Sequence, residues 1–211
     1  MGLFVGNIPI QRDYKKRATV KLGIDLDGVL VDSVIPVTTM AEMNTGIKAP
    51  EGERDWYFSN YPKVLRDEIF RLFKDPKFMC NCMTFHGVVP TLMKWKDAEH
   101  KVHIITARAP EIRNETEKMV SSTFYTGDDI SGRMLYDGLH FVDIHEPKTE
   151  VLRRLSVDMF IDDSPHRVKE ACQLGIPRVY LVHNKYTSTY NECVIGKLPV
   201  TLIKVISDII L

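Results

Sequence analysis

The chain has 211 residues, 44% of them hydrophobic and 27% charged, which places it in the ordinary globular range and excludes the disordered and fibrous classes. Lys and Arg together number 28, as do Asp and Glu, and this balance excludes a protein that grips nucleic acid or anionic lipid through a broad basic surface. No apolar run is long enough to span a bilayer, and the first residues are apolar before they are basic, the reverse of a signal peptide. Cys80, Cys82, Cys172 and Cys193 lack the spacing of a disulfide framework or a paired metal motif, so free thiols in a reducing cytoplasm are the expectation.

In chain order, the first strand signal is the stretch from Val20 to Gly28, stopped by glycine at a turn. A long connection without a clear strand follows. Pro62 opens a segment in which Leu65, Ile69, Leu72 and Phe73 have helical spacing, and Val88 to Lys96 reads as a further helix with Val89, Leu92 and Met93 inward. Strand signals return at Val102–Thr106, Leu139–Asp143, Val157–Asp162 and Val179–Val182. Between them Ile112, Thr116, Met119 and Val120 line one helical face, and Val168, Ala171, Cys172 and Gly175 another. The apolar stretch Val200–Leu211 reads as a core helix, with a homodimer face as the alternative. Strands alternating with helices imply an α/β fold with a parallel sheet covered on both faces. The predicted organisation is a core of residues 1–33 and 98–211, with a helical unit of residues 34–97 inserted after the first strand. Such an insertion sits above the carboxyl edge of the sheet, where open α/β folds bind ligands, and is a natural lid.

Charged residues cluster where these strands end. The first strand runs into Asp25-Leu26-Asp27-Gly28, the second into Thr106-Ala107-Arg108 and the fourth into Asp162-Asp163-Ser164, while Lys148 follows Pro147 at a helix start. Asp25 and Asp27, two apart, are expected to point the same way by strand periodicity. Carboxylates gathered so closely repel unless a cation neutralises them, and Mg²⁺ favours one or two carboxylates together with water and a substrate phosphate. One carboxylate, Asp25, is then placed to attack phosphorus. Asp27 can protonate the leaving oxygen and afterwards activate water, and Thr106 and Lys148 can hold the phosphoryl oxygens. Arg108 reads equally as a phosphate ligand or as the partner of an acid on the rim.

In order along the chain, Asp25-Leu26-Asp27-Gly28-Val29, the strand ending in Thr106, Lys148, and Asp162-Asp163 resemble the four signature motifs of the haloacid dehalogenase superfamily. The resemblance implies a Rossmann-like three-layer fold of strand order 5-4-1-2-3 with a small helical cap inserted after the first motif. It implies Asp25 as nucleophile and Asp27 as acid/base. Thr106, the Ala107 backbone and Lys148 would bind phosphate, with Arg108 beside them. Mg²⁺ would lie among Asp25, Asp162 and the Asp27 backbone carbonyl, with Asp163 as a supporting acid. The run Asp75-Pro76-Lys77-Phe78-Met79, followed by Phe85 and by Val89-Pro90-Thr91-Leu92, is similar to the cap of the 5'(3')-deoxyribonucleotidases of the cytosolic type C 5'-nucleotidase family. One departure is that this chain has Thr106-Ala107-Arg108 where the mammalian enzymes carry Thr-Ser-Pro, so their substrate preference does not transfer.

The aromatic residues of the insertion have two readings. Trp56, Phe78, Met79 and Phe85 either form the interior of the cap or present a surface on which a base stacks. Trp95 reads as packing, His166 as a surface or helix residue, and Ser33 and Ser164 as helix caps. The expected activity is Mg²⁺-dependent hydrolysis of a nucleoside monophosphate, a small-molecule partner, with neither extended nucleic acid nor membrane involved. The rivals are a phosphatase for a sugar phosphate or a nucleic-acid 3'-phosphate end, and a non-catalytic module that binds a phosphate ligand.

Overall fold

A computed structural model describes residues 18–51, 57–127, 132–183 and 195–211. In chain order it contains β1 (Lys21–Ile24), α1 (Val34–Thr45), α2 (Lys63–Leu72), the single turn α3 (Pro76–Met79), α4 (Val88–Asp97), β2 (Lys101–Thr106) and α5 (Arg113–Thr123). The two-residue strands β3 (Tyr125–Thr126) and β4 (Arg133–Met134) pair with each other. Then come β5 (Gly138–Phe141), α6 (Thr149–Leu155), β6 (Met159–Asp162), α7 (Pro165–Gln173), β7 (Arg178–Val182) and β8 (Thr201–Ile203).

Six strands form one sheet in the order β5-β2-β1-β6-β7-β8, and every neighbouring pair is parallel. Parallel strands need crossover helices, and these cover both faces of the sheet, so the strands are apolar on both sides. On β6, Met159 and Ile161 face a core shared with Leu92 and Trp95 of α4 and Met119 and Val120 of α5. Phe160, between them, faces a second core with Leu152 of α6 and Val168 and Ala171 of α7. The five predicted strands take their predicted order, and β8 extends that sheet by one strand on the β7 side.

Three details differ from the sequence reading. The stretch 200–211 is not a helix: Thr201–Ile203 is strand β8 and Ile206–Asp208 a short 3₁₀ turn. Its β-branched residues suit an edge strand, and Asp208 closes the turn by accepting from the backbone N–H groups of Lys204 and Val205. In α4 the inward stripe is Val88, Thr91, Leu92 and Trp95, while Met93 is exposed, because the bulky Trp95 draws that side of the helix onto the sheet. The helix therefore packs with the sheet layer, although it falls within the span 34–97. The stem of the insertion lies nearer to hand: Val31 pairs antiparallel with Thr84, and Asp32 donates its backbone N–H to Met83.

Between those paired residues α1, α2 and α3 build a separate apolar cluster of Val37, Ala41, Phe58, Leu65, Ile69, Leu72 and Met79, closed beneath by Ile112. Gly46 ends α1 in the left-handed conformation, and Asp75 opens α3 by accepting from the Phe78 backbone N–H at 3.1 Å. Ser33 and Ser164 stand at the starts of α1 and α7, but neither side chain makes the capping hydrogen bond.

Candidate active site

The carboxyl ends of β1, β2 and β6 are adjacent in the sheet, so the residues that follow them meet at one edge. Asp25 follows β1 and donates its backbone N–H to Ile161 at 2.9 Å, which fixes it beside β6. Asp162 is the last residue of β6, Thr106 the last of β2, and Lys148 the residue before α6. All four are buried.

Lys148 Nζ lies 2.5 Å from Asp25 Oδ1 and 2.8 Å from Asp162 Oδ2, bridging the two strands. Asp25, Asp162 and Asp163 bring carboxylate oxygens within 4.8 Å of one another. Burial pushes the Asp25 carboxyl up to about 7, with Lys148 opposing and Asp162 adding to the rise. Asp163 is pushed well above the usual carboxylate range by burial and then by Asp25 and Asp162. Burial also works against the Lys148 ammonium, yet Asp162 and Asp25 hold its pKa above the ordinary lysine value. Three acids thus share one ammonium. Hard oxygen donors, crowded and short of positive charge, are the donor set that Mg²⁺ takes, with its remaining positions left to water and phosphate. Asp25, Asp162 and Asp163 fit that ion.

Gly28 makes the crowding possible. Its φ of +78° lies in the left-handed region, and a Cβ there would sit 1.9 Å from Asp163 Oδ2. Any side chain at position 28 would both strain the turn and expel Asp163 from the cluster.

Asp27 departs from the strand-periodicity expectation. Because β1 ends at Ile24, Asp25 and Asp27 lie on a turn and serve different partners. The Asp27 carboxylate is outside the three-acid group and is held by Arg108, Nε to Oδ2 and Nη2 to Oδ1, each at 2.8 Å. Of its two sequence readings, the structure shows Arg108 as the ion-pair partner of an acid, with its side chain 2% exposed. The Arg108 backbone N–H donates to Thr106 Oγ1 at 3.3 Å, and among the described residues no acceptor takes the Thr106 hydroxyl proton, which can serve a ligand oxygen. Ala107 lies between them, half-buried.

The proposed specificity residues separate. Met79 is buried among the apolar residues of the inserted helices, so its side chain is not offered to a ligand. Phe78 packs half-buried against the same cluster. Phe85 packs against the main core and also lines a cavity of about 110 Å³, with Gly28, Asp32, Ile35, Asp163, His183 and Lys204 among the other lining residues. Trp56 lies outside the described residues. The pairing of Arg108 with an acid is one of its two sequence readings, but Asp27 as that acid, the Thr116 contact and the His183 wall of the cavity are absent from them. Thr116 was legible only as part of an apolar helix face, and nothing around His183 forms a motif.

No family model and no curated protein matches the chain. Solved structures do. A protein assigned as a haloacid dehalogenase-like hydrolase from Bacteroides fragilis superposes with a TM-score of 0.60 at 17% identity, over 92% of this chain and 100% of its own. A protein assigned as a phosphatase from Clostridium difficile gives 0.58 at 14% identity, over 92% and 99%. A protein assigned as a β-phosphoglucomutase from Thermotoga maritima gives 0.53 at 19% identity, over 88% and 94%. The fold of this chain is that of the haloacid dehalogenase-like hydrolases.

Proposed function

We propose that the chain is a Mg²⁺-dependent phosphomonoesterase whose substrate is a nucleoside monophosphate, most simply a 5'- or 3'-deoxyribonucleotide. The observation that carries this reading is the convergence of Asp25, Asp162, Asp163, Lys148 and Thr106 on one sheet edge: three crowded acids, an ammonium and a free hydroxyl proton. Among the described residues no helix is long and apolar enough to cross a membrane, and Cys80, Cys82 and Cys172 are free thiols, which suits a cytoplasmic enzyme.

Asp25 supplies the attacking oxygen. Its bond to phosphorus forms as the ester P–O bond breaks, and Asp27, which enters this step carrying a proton, passes it to the departing oxygen. Water then attacks the phosphorus of the aspartyl-phosphate, giving up a proton to Asp27 and returning Asp25 to its carboxylate. Lys148 and Thr106 hold phosphoryl oxygens through both steps, and their positions at the end of rigid elements are set before substrate arrives. Asp25, Asp162 and Asp163 would hold a Mg²⁺ ion, which would supply positive charge against the phosphoryl group and relieve the repulsion among the acids. The inserted helices stand over this edge and are suited to covering the leaving group and excluding water.

The nucleotide preference rests on the likeness of the segment 75–92 to deoxyribonucleotidase caps and on half-buried Phe85, which lines a cavity together with Asp163. A panel of monophosphates at equal concentration, with and without Mg²⁺, tests it. The expected result is Mg²⁺-dependent phosphate release, fastest from deoxyribonucleoside monophosphates. Preference for a sugar phosphate over every nucleotide would reassign the substrate.

A further inference from the structure

We propose that Arg108 is a positioning residue that aims the Asp27 carboxylate and fastens it to the inserted helices. The proposal rests on the phosphatase reading, in which Asp27 is the acid/base. Arg108 Nε and Nη2 each reach a different Asp27 oxygen at 2.8 Å, so the planar guanidinium fixes both the place and the rotation of the carboxylate. Each oxygen keeps a second lone pair, and Asp27 is 23% exposed while Arg108 is 2% exposed, so the free side of the carboxylate is the one that meets solvent and substrate.

The fork is itself held from two directions. Nη1 lies 3.4 Å from the Thr116 hydroxyl on α5, and Nη2 lies 3.3 Å from the Met79 carbonyl at the end of α3. Thr116 belongs to the sheet layer, whereas Met79 belongs to the inserted helices through its burial with Leu65, Ile69 and Leu72. The same guanidinium therefore touches the core, the insertion and the acid/base. Where α3 sits decides how Asp27 is presented. The backbone of the same residue orients the Thr106 hydroxyl, so one residue sets two of the groups that face the phosphoryl. A lysine could supply the charge but not the two-point hold.

The test compares leaving groups. A nucleoside alkoxide needs a proton as it departs, whereas p-nitrophenolate does not, and kcat/KM reports only the steps through formation of the aspartyl-phosphate. Arg108→Met is expected to lower kcat/KM for a deoxyribonucleoside 5'-monophosphate by about 10²-fold to 10³-fold and for p-nitrophenyl phosphate by less than about 10-fold, the range open to one proton-transfer group. The loss should lie in kcat with KM little changed. Added guanidinium ion should return part of the nucleotide turnover to Arg108→Ala. Equal losses on the two substrates, or no loss, would overturn the proposal while leaving the phosphatase reading intact. Should Arg108→Met fail to fold by thermal melting, Arg108→Lys reads the same substrate ratio with the charge retained. A wild-type protein that turns over no phosphomonoester overturns the phosphatase reading, and the role of Arg108 falls with it.

Discussion

Two ion clusters, one buried and one reaching solvent through Asp27, lie side by side at the carboxyl edge of the sheet, and they differ in charge balance. Around Lys148 three carboxylates gather against one ammonium. Around Asp27 one carboxylate meets one guanidinium in a closed fork. Burying charge is costly unless it is paired, so the second cluster is complete as it stands and the first is not. The raised carboxyls of Asp25 and Asp163 express that shortfall, whereas the pKa of Arg108 is raised, burial notwithstanding, because Asp27 supports its charge. The unbalanced cluster is where the proposed reading puts a cation and a phosphate. A balanced one marks where a side chain is held still.

The most severe way to break this contrast is to remove the nucleophile from the unbalanced cluster. Asp25→Asn keeps the shape of the residue and removes its attacking oxygen. Phosphate release from every substrate should fall by about 10⁴-fold or more, as for other nucleophile replacements. Initial rates under saturating Mg²⁺ decide it, and undiminished turnover would move the nucleophile elsewhere.

A smaller loss separates the clusters by stability. Lys148→Met leaves Asp25 and Asp162 without the ammonium that pairs with both of them, beside Asp163, and removing one partner of a buried pair typically costs about 3–5 kcal/mol. Denaturant unfolding of the metal-free protein at neutral pH measures this. The cost should shrink as the acids take up protons at lower pH, and a cost that does not change with pH would mean that Asp25 and Asp162 are not the groups left unpaired.

The same contrast explains what was legible in the sequence. Asp25, Thr106, Lys148 and Asp162 each sit at the end of a strand or the start of a helix, where local pattern fixes position, and a parallel sheet has few ways to order its strands. Those residues were therefore placed at strand and helix ends by local pattern, and brought to one edge by the strand order that the family resemblance implies. The Arg108 fork was not, because its partners Asp27, Thr116 and the Met79 carbonyl come from a turn, an apolar helix face and a backbone atom, none of which carries a motif. Met79 shows the same limit from the other side: aromatic and apolar residues near a site look alike in sequence whether they line it or fill the interior behind it. The misread stretch 200–211 failed for a related reason, since a short apolar run of β-branched residues has no period long enough to separate strand from helix.

The mildest probe adds the missing charge. Burial raises the Asp25 carboxyl from the ordinary aspartate value of 3.8 to about 7 in the folded metal-free chain, so the folded state binds more protons between those limits. Stability from this group is therefore fully present below about pH 4 and is lost as pH rises through about 7, and Asp163 works in the same direction. Mg²⁺ needs the ionised acids, so its stabilisation must grow over the same interval and level off above it. At a concentration 100 times its dissociation constant the ion should contribute about 2.7 kcal/mol, or a rise in Tm of about 5–10 °C for a chain of this size. Thermal melts at pH 5.5 and pH 8 should show a small shift at the first and the full shift at the second. In Asp162→Asn the shift at pH 8 should largely vanish, whereas Arg108→Met should retain it, because the fork on Asp27 contributes no carboxylate to the ion. Loss of the Mg²⁺ shift in Arg108→Met would show that the two clusters act as one.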